Sequence, residues 1–251
     1  MKSPLKFKPL SNPGESLHQK LIDTVFDGVL LGYLMIAIFT PVLVYAWGVW
    51  LAQVIPNPLI VTAVIAPVMI FGVYRMISGS KKLKSVRLGL QGEKAVGQFL
   101  EKLRASGAIV FHDIVGDKFN LDHVVITKSA IYVIETKTMS KPAKGKTELS
   151  YDGATISWGG KPIMGDPIGQ VCAASTWLRE ILEESTGKRP IIKPVVLFPG
   201  WYIRNTNSGK SNVWVLNPKA FPTYIKNEEE RIPSEDVHMF ASHLCRWIRS
   251  Q

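Results

Sequence analysis

The chain has 251 residues, 46% of them hydrophobic, and a formal net charge of +10, with a mean hydropathy of +0.11. Two cysteines are too few for a disulfide framework or a cysteine-based zinc site, which excludes small secreted scaffolds and zinc modules. Residues 75–88 hold 5 basic side chains and no acid, whereas residues 89–251 hold 21 basic and 17 acidic ones, so the larger part is only mildly basic and its charge is weak support for a polyanionic partner.

Residues 1–27 form a polar N-terminal segment containing Lys2, Lys6, Lys8 and Lys20. From Gly28 to Tyr74 there is no Asp, Glu, Lys or Arg. A membrane span needs roughly 20 apolar residues, because about 30 Å of hydrocarbon is crossed at about 1.5 Å per residue. The uncharged stretch accommodates two. Ala52 to Pro58, with Pro56 and Asn57, reads as the turn between them. Spans are therefore expected at 29–51 and 58–77, within a hairpin of residues 28–78. Thr40-Pro41 is acceptable inside a membrane helix, and Tyr45, Trp47 and Trp50 suit an interfacial belt or a lipid-facing surface.

Two alternatives explain the stretch less well. A pair of buried helices in a soluble core usually keeps a polar face and is shorter. A cleaved signal has an apolar core of only about 7–15 residues. The flanks set the orientation. Lysines precede the first span, and Arg75, Lys81, Lys82, Lys84 and Arg87 follow the second, while the turn is uncharged. The positive-inside rule then makes this a multi-pass membrane protein with both ends in the cytoplasm. The five basic residues after the second span are expected to attract anionic lipid, at up to about 1 kcal/mol each. Nucleic-acid contact by the same residues is the lesser reading.

A basic linker, 79–88, leads into a domain of residues 89–251. Leu90 to Gly107 predicts an amphipathic helix, with Val96, Leu100 and Leu103 recurring at helical spacing and Gly107 as its stop. Short strands are expected at 109–111, 124–127 and 131–134, then a polar loop from Ser140 to Lys146 and a further strand near 155–158. Asp166-Pro167 is a strong helix start, with Asp as N-cap and Pro at the first helical position. That helix should run to about Ser185 and stop at Gly187. Strands follow at 195–198 and 213–216. A closing helix begins near Ser234, with Val237, Ala241, Leu244 and Ile248 in one stripe. Interleaved strands and helices predict one mixed α/β or α+β domain.

The chemistry concentrates in Asn120 to Ile126 and Ile131 to Lys137. If the two apolar runs form a hairpin around Lys128-Ser129, symmetric pairing sets Asp122 opposite Glu135, and paired residues share a face. Strand alternation adds Lys137 to that face, with Val124, Ile126, Ile131 and Val133. Two carboxylates there repel one another and are costly to desolvate. A divalent cation between Asp122 and Glu135 relieves both problems, and Mg²⁺ (or Mn²⁺) takes a couple of carboxylates and fills its remaining positions with water and phosphate oxygens. Lys137 is placed to orient an attacking water or offset charge on a phosphate. Glu93 falls on the packing side of its helix, and Gln170 falls with Ala174, Trp177 and Ile181 on the packing side of another, where a polar group needs a partner. The favourable helix dipole is an equally good reason for a glutamate in a first turn.

Other motifs carry no chemistry. Gly209-Lys210-Ser211 lacks the P-loop's upstream glycine, which would fall at Arg204. His238 and His243 are five apart and do not align on one helical face. Cys172 and Cys245 are expected to be reduced core residues, and Glu228 to Glu230 a solvated loop.

Gly92-Glu93, Asp122-His123, the Glu135-Thr136-Lys137 triplet, Trp158 and Asp166-Pro167-x-x-Gln170 together resemble the NERD family of nuclease-related domains, which look like members of the PD-(D/E)xK nuclease superfamily. The resemblance covers about residues 89–200. It implies a restriction-endonuclease-like fold, a small mixed sheet flanked by helices. It also implies that Asp122 and Glu135 bind the metal, that Lys137 assists the nucleophile, and that Glu93 and Gln170 complete a catalytic site acting on DNA or RNA. Asp166 departs from the family, which usually has Asn there; both residues cap helices. The alternative reading is a module that keeps the fold but only holds nucleic acid or a protein at the membrane.

Overall fold

Both long apolar helices are present in the computed structural model, which describes residues 11–53, 58–116, 120–142, 146–206 and 211–250. The chain divides into two compact units, one of Leu17–Arg87 and one of Met1–Ser16 with Leu88–Gln251.

The smaller unit is helical. Helix α1 (Glu15–Thr24) passes through a π-helical turn (Val25–Leu30) into α2 (Leu31–Leu51), and α3 follows as Pro58–Glu101. The two helices are long and apolar enough to cross a membrane, and only 11% of each apolar window is buried. A soluble core helix would be mostly covered. Pro41 and Pro67 lie inside helices. The helices approach closely where side chains are absent: a Cβ on Gly28 would lie 3.1 Å from the Gly79 Cα, and one on Gly72 3.1 Å from the Met35 Cβ. Small residues at such crossings let backbones pack, as membrane helices require. Trp47 Nε1 donates to Thr62 Oγ1 at 3.2 Å, joining α2 to α3. Of the expected turn, residues 54–57 lie outside the described residues, as do Lys2, Lys6 and Lys8. Residues 79–88, expected as a linker, are helical and belong to α3. Their lysines, leucines and arginine are good helix formers, with no proline to interrupt them.

In the larger unit, α3 tightens into a 3₁₀ turn (Lys102–Ser106) and stops at Gly107, whose φ of 86° is left-handed. The strands then follow as β1 (Ile109–Val115), β2 (Asn120–Ile126), β3 (Ile131–Thr136), β4 (Glu148–Tyr151), β5 (Ile156–Trp158) and β6 (Lys161–Pro162). Helix α4 (Pro167–Thr186) precedes β7 (Ile192–Leu197), β8 (Tyr202–Asn205) and β9 (Trp214–Leu216), and α5 (Phe221–Lys226) and α6 (Ser234–Ser250) close the chain. The main sheet has the order β1-β2-β3-β7-β9 and the second β6-β5-β4-β8. Three antiparallel strands are extended by β7 and β9, both running parallel to β3. This is the expected mixed α/β fold, with a second sheet that the sequence did not predict.

The main sheet is covered on both faces. Val124, Ile126, Ile131 and Val133 join one core with Val171 and Leu178 of α4 and Leu244 of α6. Val125, Tyr132 and Ile134 join the other with Val96 and Leu100 of α3. Fully burying one such aliphatic side chain is worth about 1.5–3 kcal/mol, so the two helical layers fix the sheet, and with it the strand ends. Cys172 and Cys245 are free thiols packed against the first core. The triplet Glu228 to Glu230 is the expected loop, with Glu229 and Glu230 exposed, and its acids pair with Lys193, Arg231 and Lys128 in turn. Of the Ser140–Lys146 loop, residues 143–145 lie outside the described residues, as do Gly209 and Lys210 of the rejected phosphate-loop motif.

Candidate active site

The β2–β3 hairpin has the register that symmetry about Lys128-Ser129 requires, with His123 opposite Ile134 and Val124 opposite Val133. Asp122 and Glu135 are the next positions outward. Asp122 points back to the neighbouring strand, where its Oδ2 accepts from the Thr136 backbone N–H at 2.7 Å. The triplet Glu135-Thr136-Lys137 ends β3, and the Lys137 N–H donates to the Leu197 carbonyl at 3.0 Å, holding that end against β7.

Lys137 Nζ donates to Glu135 Oε1 at 3.2 Å and to Gln170 Oε1 at 3.0 Å. Gln170 sits in the first turn of α4, which starts where Asp166 caps the Gly169 N–H at 2.8 Å. Its environment differs from the expected one. The buried stripe of α4 is Val171, Ala174, Ser175, Leu178 and Leu182, and Gln170 is exposed beside it. One residue turns the helix by about 100°, enough to move Gln170 off the packing face and toward Lys137.

Glu93 comes from α3, which packs on the opposite face of the sheet from α4. A side chain at Gly92 would overlap Thr138, whose Cβ lies 2.9 Å from where a Cβ would sit. Glycine there lets α3 lie against the segment just after β3 and brings Glu93 to the strand ends.

Electrostatics join these groups. Burial pushes the Glu93 carboxyl up to about 7, helped by the charges of Asp113 and Glu135 and opposed by Lys137. Burial, then Glu135 and Glu93, hold Asp122 well above the usual carboxylate range, against the pull of the Thr136 N–H and Lys137. Glu135 is raised by burial and pulled down by Lys137. One lysine thus faces several carboxylates at one sheet end, and it does not offset them all.

Sequence reading missed Asp113. It is 4% exposed, and its carboxylate accepts from the Ser16 N–H at 2.5 Å and the Ser16 hydroxyl at 2.6 Å. Its φ of 48° is left-handed, a conformation that Asp tolerates better than most residues. The expected strand ended at Phe111, whereas β1 continues to Val115 through buried His112 and Asp113. Their polarity hid the strand, because their partners are remote in sequence.

The histidines form their own chain beside the site. His112 Nε2 lies 2.8 Å from Glu101 Oε1, and His112 Nδ1 lies 2.8 Å from His123 Nδ1. Burial pushes both rings down, His123 to about 3, so both are neutral near pH 7. A carboxylate only accepts, so His112 donates through Nε2. Its Nδ1 then accepts from His123 Nδ1–H. His123 Nε2 is left as a buried acceptor without a partner among the described residues.

Among the described residues, no group of three or more His, Cys, Asp or Glu side chains is arranged to hold a metal ion. Asp122 and Glu135 are oxygen donors of the class that a hard divalent cation takes, its remaining positions going to water and phosphate. Burial raises all three carboxyls and so favours their neutral form, whereas a bound cation would favour the ionised form. Trp158, the aromatic in the resembling set, packs edge-on against Trp201 at 5.9 Å, and the Trp201 indole donates to the Met139 carbonyl, two residues past Lys137.

Residues 88–199 match the family model of the nuclease-related domain, NERD. The match spans α3 from Leu88, the β2–β3 hairpin, α4 and β7. No curated protein and no solved structure matches the chain.

Proposed function

We propose that the nuclease-related domain matched over residues 88–199 makes this chain a divalent-metal-dependent nuclease of the PD-(D/E)xK type. In this reading residues 28–78 anchor it in a membrane, with the domain and both termini in the cytoplasm. Asp122 and Glu135 hold Mg²⁺ or Mn²⁺. A cation held there would supply a water of lowered pKa and would offset charge on the scissile phosphate. Lys137 orients that water and stabilises the developing charge. Gln170 holds the Lys137 ammonium from the α4 side. Glu93 accepts a proton or adds an outer contact to the cation's water. Arg75, Lys81, Lys82, Lys84 and Arg87 add attraction to anionic lipid.

The observation that carries the reading is the position of Lys137, bonded to both Glu135 and Gln170 at a sheet end crowded with raised carboxyls. The test is calorimetric titration of Mn²⁺ into the full-length chain in detergent. Saturable binding that disappears in Glu135→Ala supports the site; equal binding in that variant refutes it.

The Lys137–Glu135 ion pair also supports a second reading, in which the network is structural and the domain holds nucleic acid without cutting it. Nucleic-acid binding that is insensitive to chelator, with no turnover, distinguishes that case.

A further inference from the structure

The helical unit contains a cavity of about 460 Å³ lined by Lys20, Asp23, Asp27, Arg75, Ser78 and Lys82. Of the five basic residues after the second span, only Arg75 and Lys82 reach it; Lys81, Lys84 and Arg87 do not line it. Its third cation, Lys20, comes from α1. Gly28 and Gly79 also line it, at a point where their backbones nearly touch. The π-helical turn Val25–Leu30 runs beside it, a distortion that recurs at functional sites.

Arg75 Nη2 donates to the Asp27 carbonyl at 2.5 Å, while its Nε is buried with no partner among the described residues. Asp27 and Arg75 are also the first charges on either side of the uncharged stretch Gly28 to Tyr74. With the helices inserted, this pocket lies at headgroup depth.

We infer that the pocket binds the headgroup of an aminophospholipid, its phosphate meeting Lys20, Arg75 and Lys82 and its primary ammonium meeting Asp23 and Asp27. Two carboxylates among three cations oppose a purely anionic headgroup, and they complement one that carries an ammonium. A choline headgroup has no N–H to donate to them. General attraction by a basic surface has the opposite preference, for phosphatidylglycerol. The inference rests on the membrane-inserted reading of residues 28–78.

The test is native mass spectrometry of the full-length chain from micelles holding equal phosphatidylethanolamine, phosphatidylglycerol and phosphatidylcholine. The expected result is one retained phosphatidylethanolamine, favoured over the other two by at least about fivefold, as hydrogen bonds to charged groups support. Lys20→Ala/Lys82→Ala should lose the retained lipid. Asp23→Asn/Asp27→Asn should lose the preference for phosphatidylethanolamine, and Lys81→Ala/Lys84→Ala should change neither. Equal retention of all three lipids by the unmodified chain, or retention unchanged by Lys20→Ala/Lys82→Ala, overturns the assignment. So does full displacement of the lipid by soluble O-phosphoethanolamine, which would make the ligand a soluble phosphoamine. Carbonate extraction of membranes separates the two levels of failure. A chain that is extracted refutes insertion itself, whereas one that stays in the membrane without lipid preference refutes the pocket alone.

Discussion

Lys137 and Gln170 are 33 residues apart, yet Lys137 Nζ donates to Gln170 Oε1 at 3.0 Å. This bond ties the end of β3 to the first turn of α4, the helix that crosses over to β7. It sets the direction of the only cation in direct contact with Glu135 among the described ion pairs.

Gln170→Leu therefore tests positioning without touching the core, because Gln170 is exposed. Cleavage should fall about ten- to hundredfold, the scale of misplacing a catalytic group. Thermal stability should stay within about 0.5 kcal/mol, as for other surface changes. Activity equal to the unmodified chain removes Gln170 from the site.

The raised Glu93 carboxyl predicts a pH dependence of cation binding. Its folded value of about 7 stands above the ordinary 4.5, so its contribution to stability without metal is complete below the ordinary value and is lost as pH rises through about 7. A cation requires the ionised carboxylates, so its affinity changes in the opposite sense, rising with pH through that window by up to about tenfold per pH unit for each proton displaced. Calorimetry at about pH 6 and about pH 8 checks this. A flat profile contradicts the raised carboxyls.

Asp113→Asn probes the same group from outside. Asn tolerates the left-handed backbone and keeps an acceptor for Ser16, but it removes a charge that raises Glu93. The pH midpoint of cation binding should move down. An unmoved midpoint separates Asp113 from the site.

Gly92→Ala asks whether α3 must touch the segment after β3. A methyl there meets Thr138, and overpacking of this kind costs typically about 1–3 kcal/mol. Chemical denaturation should show the loss, and Mn²⁺ affinity should weaken as Glu93 shifts. Unchanged values for both would mean that the helix can slide without consequence.

The hairpin register was legible because Asp122 and Glu135 are equidistant from Lys128-Ser129 and the intervening residues are apolar, leaving one pairing that buries both faces. Asp166 and Gly187 gave the limits of α4 for equally local reasons, a cap and a left-handed stop. The second sheet was hidden. Strand β6 has two residues, and β8 is Tyr-Ile-Arg-Asn, whose pairing with β4 depends on a partner more than 50 residues away. Asp113 was invisible for the same reason, since Ser16 satisfies it across 97 residues. Gln170 was found by its motif but assigned to the wrong side of its helix, because its lysine partner lies on another element.

Under the proposed function, Asp122, Glu135 and Lys137 cleave nucleic acid with a divalent cation. The most direct test is cleavage of labelled DNA and RNA by the purified full-length chain, with Mg²⁺ or with chelator, alongside Glu135→Ala. The expected result is Mg²⁺-dependent cutting of at least one substrate, stopped by chelator and reduced by at least about a hundredfold in the variant, the scale of losing an electrostatic contact in a transition state. Cleavage that persists in Glu135→Ala, or nucleic-acid binding with Mg²⁺ present and no cutting, contradicts it.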